Sequence, residues 1–82
     1  MLNYDKAPTV FLGQQFKSYI EDKVPLGSFL TAVFENKLIR SFELADDTNR
    51  NLMFEIAYWI YNEAPFNCWG SKEIVEEWLK NE

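Results

Sequence analysis

The sequence predicts an all-α fold, a small bundle of four to five short helices around a central apolar helix. Three observations carry that expectation. Apolar residues recur at helical spacing along most of the chain. Capping residues stand where those periodic stretches begin. At 82 residues the chain is the size of one domain, with room for a single modest core.

Residues 1–8 show no periodicity and end at Pro8. They are read as a flexible N-terminal arm that is mobile or docks weakly, with residues 9–82 forming one helical domain. The first helix is expected over Val10 to Asp22, with Thr9 as N-cap; Leu12, Phe16, Tyr19 and Ile20 make its apolar face. Val24-Pro25-Leu26-Gly27 breaks it, because proline disfavours helical geometry at the residue before it and glycine permits a tight turn. Ser28 is then the expected N-cap of a second helix carrying Phe29, Leu30, Val33 and Phe34. Leu38, Ile39, Phe42 and Leu44 continue the pattern to Ala45. Whether Asn36 separates two helices or bends one is left open by the pattern.

Asp46 is the expected N-cap of a long helix from Asp47 to Glu63, since an acidic first turn suits the helix dipole. From Leu52 to Tyr61 its only charged residue is Glu55. A helix apolar nearly all round is normally the buried centre of a bundle. A strand competes for this stretch, being dense in aromatic and β-branched residues, but length and the flanking cap favour helix. Pro65 ends it. Ser71 caps a last helix over Lys72 to Lys80, with Ile74, Val75, Trp78 and Leu79 inward.

The composition argues against several functions. Net charge is −5, and the eight basic residues are scattered among thirteen acidic ones, so direct nucleic-acid binding and an anionic membrane surface are not expected. There is no histidine and one cysteine, Cys68, which leaves no internal disulfide, no structural zinc set and no histidine base for a nucleophile. A lysine base for Cys68, with Lys72 near in sequence, is the weaker alternative to a thiol packed in a loop. Asp46-Asp47 and Glu76-Glu77 fall where helix caps and solvated faces want them. Asp46-Asp47-Thr48-Asn49 lacks calcium-loop spacing. Gly13, Gly27 and Gly70 form no phosphate loop, and no cofactor motif is present. The start of the chain lacks the basic and apolar regions of a signal peptide, and no apolar run is long enough to span a membrane, so a reducing cytosol is the expected compartment.

The remaining signal is aromatic. Phe, Tyr and Trp make 17% of the chain. Such residues fill small cores, and they also anchor interfaces. Tyr58, Trp59 and Tyr61 point to different sides of one helix, about 100° per residue apart, so a small monomer is hard pressed to cover all three. Phe66 and Trp69 lie in the loop that follows. These five are the candidate partner-binding residues, with Glu43, Asp46 and Asp47 as an acidic set able to imitate nucleic-acid phosphates. A homodimer joined through the aromatic helix is the alternative use of the same residues.

Three stretches also resemble a group of short proteins encoded by tailed bacteriophages. They are Pro25-Leu26-Gly27-Ser28-Phe29-Leu30 with Ala32-Val33-Phe34, Asn36 and Leu38; Ala45-Asp46-Asp47-Thr48-Asn49-Arg50; and Tyr61-Asn62-Glu63-Ala64-Pro65 with Cys68-Trp69-Gly70-Ser71 and Trp78. The resemblance covers about Val24 to Leu79. It implies a setting, the cytoplasm of an infected bacterium, and no catalytic residues. With no chemistry in view, the expected role is an accessory protein that binds and modulates a host or phage protein, inhibition of a defence or nucleic-acid enzyme being one form.

Overall fold

A computed structural model describes residues 2–80. Among them the chain forms six α-helices: α1 (Val10–Asp22), α2 (Ser28–Phe34), α3 (Leu38–Leu44), α4 (Asp47–Asn51), α5 (Met53–Glu63) and α6 (Lys72–Lys80). Two single 3₁₀ turns, Tyr4–Lys6 and Phe66–Cys68, complete the inventory, and no strand occurs among the described residues. The fold is a small all-α bundle.

Three helices start on the side chains that the sequence marks. Thr9 Oγ1 accepts from Leu12 N at 3.0 Å, Asp46 Oδ1 from Asn49 N at 2.7 Å, and Ser71 Oγ from Ile74 N at 3.1 Å. Each satisfies an N–H that the first turn leaves without an intrahelical partner. α2 differs. Its cap is Gly27, whose carbonyl accepts from Thr31 N at 2.9 Å, and Ser28 is already helical with no capping role. Thr31 Oγ1 donates to Leu26 O at 3.0 Å and ties this turn down instead.

One question left open by the pattern is answered, and one predicted continuity breaks. α2 and α3 are separate helices, because Asn36 takes a left-handed conformation (φ 64°) that asparagine tolerates better than most residues. The long helix expected from Asp47 to Glu63 is interrupted at Leu52 (φ −104°, ψ 8°), which leaves a five-residue α4 before α5. The first helix ends as expected at Asp22, but through Lys23, another left-handed residue (φ 58°). Its ammonium lies 3.1 Å from the centre of the Trp78 ring, a cation–π contact that offsets part of the backbone cost.

α1 supplies more of the buried core than α5, whose outward face stays in solvent. Leu12, Phe16, Tyr19 and Ile20 are buried along α1 and meet Leu30 and Phe34 of α2, Ile56, Trp59 and Ile60 of α5, Cys68, and Val75 of α6. Phe16 stacks on Trp59 with ring centres 4.5 Å apart, and Tyr19 meets Phe34 edge-on at 5.0 Å. Tyr19 also pins the C-terminal part of the chain. Its hydroxyl donates to Cys68 O at 2.8 Å, and its carbonyl accepts from Trp78 Nε1 at 3.2 Å. α3 is turned the other way from its expected packing: Ser41 is its buried residue, while Leu38, Ile39 and Phe42 face outward.

The N-terminal stretch, expected as a mobile or weakly docked arm, lies against the bundle over residues 2–8. Asn3 Oδ1 caps the first 3₁₀ turn by accepting from Asp5 N at 3.1 Å. The Asn3 carbonyl accepts from Trp59 Nε1 at 3.0 Å, and Tyr4 Oη donates to Glu21 Oε2 at 2.9 Å. Gly13 makes this close approach possible: a Cβ there would sit 2.8 Å from the Tyr4 carbonyl oxygen. That contact explains a glycine in mid-helix, where it otherwise costs roughly 0.5–1 kcal/mol relative to alanine.

Candidate interaction surface

α5 packs on the core by one face and leaves another in solvent. Ile56, Trp59 and Ile60 turn inward. Phe54, Tyr58 and Tyr61 stand outward, 75%, 61% and 75% exposed. Their spacing of i, i+4 and i+7 sets them on one stripe of the helix, with the small Ala57 among them. Phe54 and Tyr58 lie nearly parallel, ring centres 5.8 Å apart and planes 23° apart. This is an aromatic platform rather than isolated exposed side chains, and contiguous apolar patches are what distinguish interaction sites from ordinary surface.

The structure sorts the predicted partner-binding residues. Tyr58 and Tyr61 belong to the platform. Phe66 is 85% exposed in the second 3₁₀ turn. Trp59 does not belong on the surface: it is 2% exposed, stacked on Phe16 and hydrogen-bonded to Asn3. Trp69 is half-buried against the core, and its Nε1 finds no acceptor among the described residues. The acidic set is engaged locally. Asp46 caps α4, Asp47 pairs with Arg50 at 2.8 Å, and Glu43 pairs with Arg40 at 3.2 Å.

Phe54 and Glu55 are the residues that the sequence reading passed over. The signal was present, because Phe54, Tyr58 and Tyr61 share the spacing that identifies a helix face. A stretch apolar on every side hides which face is the outward one.

Beside the platform runs a groove of about 320 Å³ between α5 and the N-terminal stretch. Phe54, Glu55, Tyr58 and Glu63 border it from α5, Lys6 and Pro8 from the opposite wall. Glu63 Oε1 accepts from Asn3 N at 3.2 Å, while Lys6 Nζ stands 3.9 Å from Glu63 Oε2, beyond hydrogen-bond reach. A larger cleft of about 600 Å³ lies where the starts of α1, α2 and α4 converge, bordered by Phe11, Phe29, Leu44, Asp46 and Leu52 among others.

Cys68 is buried, and burial pushes its thiol up to about 12, with Lys23 pulling weakly the other way. A thiol in that state supplies almost no thiolate near neutral pH. No group of three or more potential metal ligands stands together among the described residues. No helix among them is long and apolar enough to cross a membrane.

Comparison with protein-family models, with curated proteins and with solved structures gives no match to this chain. The bacteriophage resemblance rests on the three sequence motifs alone.

Proposed function

We propose that this chain is a non-catalytic binding protein whose α5 platform docks a protein partner. The observation that carries the reading is the stripe of Phe54, Tyr58 and Tyr61, three large rings that the fold holds outward on one helix face. In the setting implied by the bacteriophage resemblance, the chain acts in the infected bacterial cytoplasm as an accessory protein. It modulates a host or phage protein by occupying a surface, with inhibition as the simplest outcome. The acidic residues Glu43, Asp46 and Asp47 play no part in this reading, since each already has a local partner or capping role. A homodimer through the same platform is disfavoured by charge: Glu55 lies beside the stripe, and a two-fold contact along α5 would bring like charges together.

The test is site-specific photocrosslinking in bacterial cells, infected and uninfected. A benzophenone amino acid replaces Tyr61, with a control at exposed Lys17 on α1. A discrete hetero-adduct is expected from position 61 alone, and Tyr58→Ser should abolish it. Adducts of equal yield from both positions, or none from either, would overturn the reading. An adduct of two copies of this chain would establish the assembly alternative instead.

A further inference from the structure

The groove beside the platform carries a charge pattern that selects among partners, an inference that rests on the α5 reading above. No lysine or arginine occurs between Arg50 and Lys72, so the only charges on α5 are Glu55 and Glu63, and both border the groove. Glu63 is mostly shielded, its side chain 19% exposed, whereas Lys6 opposite it is 67% exposed. Lys6 stands against Glu63 alone, 3.9 Å away on a largely solvated stem, while Glu55, about two helical turns from Glu63, lies beside the rings with no ion-pair partner among the described residues. Those rings are a near-parallel pair. A carboxylate next to ring faces makes the environment that a guanidinium fits: its plane stacks on the rings while its N–H groups reach the acid.

We propose that the groove between α5 and residues 6–8 receives an arginine side chain from the protein partner, and that this arginine displaces Lys6 from Glu63. Lys6 is the internal stand-in for the partner's cation. It holds the groove weakly, so displacement is easy, and a planar guanidinium spanning Glu63 and the Phe54–Tyr58 platform makes contacts that a lysine ammonium does not. The partner surface then presents arginine among apolar residues, a complement to an acidic aromatic face.

The probe is N-acetyl-arginine methylamide, with N-acetyl-citrulline methylamide as its uncharged isostere. Each is titrated into the ¹⁵N-labelled full chain and followed by the amide signals of Glu55, Tyr58 and Glu63. The arginine compound should produce saturable shifts at these residues, with the citrulline compound about fivefold weaker or more, a factor equivalent to roughly 1 kcal/mol. Glu55→Gln should weaken arginine binding. Lys6→Ala, a change at an exposed side chain, should tighten it by removing the competitor. Equal binding of the two compounds would overturn charge recognition while leaving the aromatic platform as a docking surface. Shifts from neither would overturn the groove as an arginine site, and the photocrosslinking result separates that failure from failure of the platform itself. Weaker binding by Lys6→Ala would overturn displacement.

Discussion

Gly13→Ala sets two effects of opposite sign against each other. Alanine in the middle of α1 gains roughly 0.5–1 kcal/mol of helix propensity over glycine. Its Cβ would stand 2.8 Å from the Tyr4 carbonyl oxygen, a backbone atom that cannot swing aside, so the N-terminal turn must lift. Lifting it breaks the hydrogen bond from Trp59 Nε1 to Asn3 O and pulls the Tyr4 ring from Trp59, now 5.7 Å centre to centre. The bond is worth about 1 kcal/mol and the aromatic pair about 0.5–1.5. The Tyr4–Glu21 bond, exposed at its carboxylate, adds less. Together these outweigh the propensity gain, for a net loss of about 1–2 kcal/mol, or about 5–15 °C in Tm for a domain of this size. Urea unfolding followed by tryptophan fluorescence measures the stability, and the Trp59 indole N–H signal reports the bond. A Gly13→Ala protein more stable than the parent, with that signal unmoved, would refute the docking of residues 3–6 on α1.

Tyr19→Phe keeps the ring in the core but leaves the buried Cys68 carbonyl without the hydroxyl at 2.8 Å; a loss of about 1–3 kcal/mol in denaturant unfolding is expected. Trp69→Phe removes an indole N–H that has no acceptor among the described residues, so its cost should stay within about 1 kcal/mol. Trp78→Phe should cost more in the same assay, since it forfeits the bond to Tyr19 O and weakens the platform under Lys23. Alkaline stability depends on Cys68, whose folded pKa is raised from 9.0 to about 12 by burial. The unfolded chain releases that proton first, so the contribution is complete below pH 9 and is lost as pH rises toward 12. Tyr4 and Tyr19, both raised mainly by burial, join from their ordinary value of 10.0 upward. Unfolding free energy measured between pH 9 and 10 should therefore fall less steeply in Cys68→Ala than in the parent.

The all-α class and most helix ends were legible because local chemistry decides them. Thr9, Asp46, Ser71 and Pro65 act within a turn of where they stand, so no distant contact can overrule them. The departures arise where the third dimension decides. Lys23 and Asn36 take left-handed conformations that no periodic pattern announces, and Leu52 breaks a helix that its neighbours on both sides continue. The N-terminal stretch has no periodicity, yet it docks because Gly13 leaves space and Trp59 offers a donor, neither of them near it in sequence. The same limit applies to the candidate surface. Tyr58 and Tyr61 could be suspected from an aromatic excess, but only packing against α1 decides that Trp59 turns in and Phe54 turns out.

Trp59 links the stability of the bundle to the surface that the binding proposal uses. Its ring is core, stacked on Phe16, while its N–H holds Asn3, whose own N–H reaches Glu63 at the edge of the groove. Trp59 is thus one of the side chains that fasten the far wall of the groove to the core. The platform rings need no such fastening, and the fold makes little demand on them: at 61–75% exposure, Phe54, Tyr58 and Tyr61 bury too little to contribute much to the core. Polar residues at those three positions would keep the helix and improve solubility. An arrangement that braces the groove wall and leaves the adjoining rings in water is costly as packing and useful as a docking face. The two demands can be separated by experiment: Phe54→Ser or Tyr58→Ser should alter binding with little loss of stability, whereas Trp59→Phe should lose both.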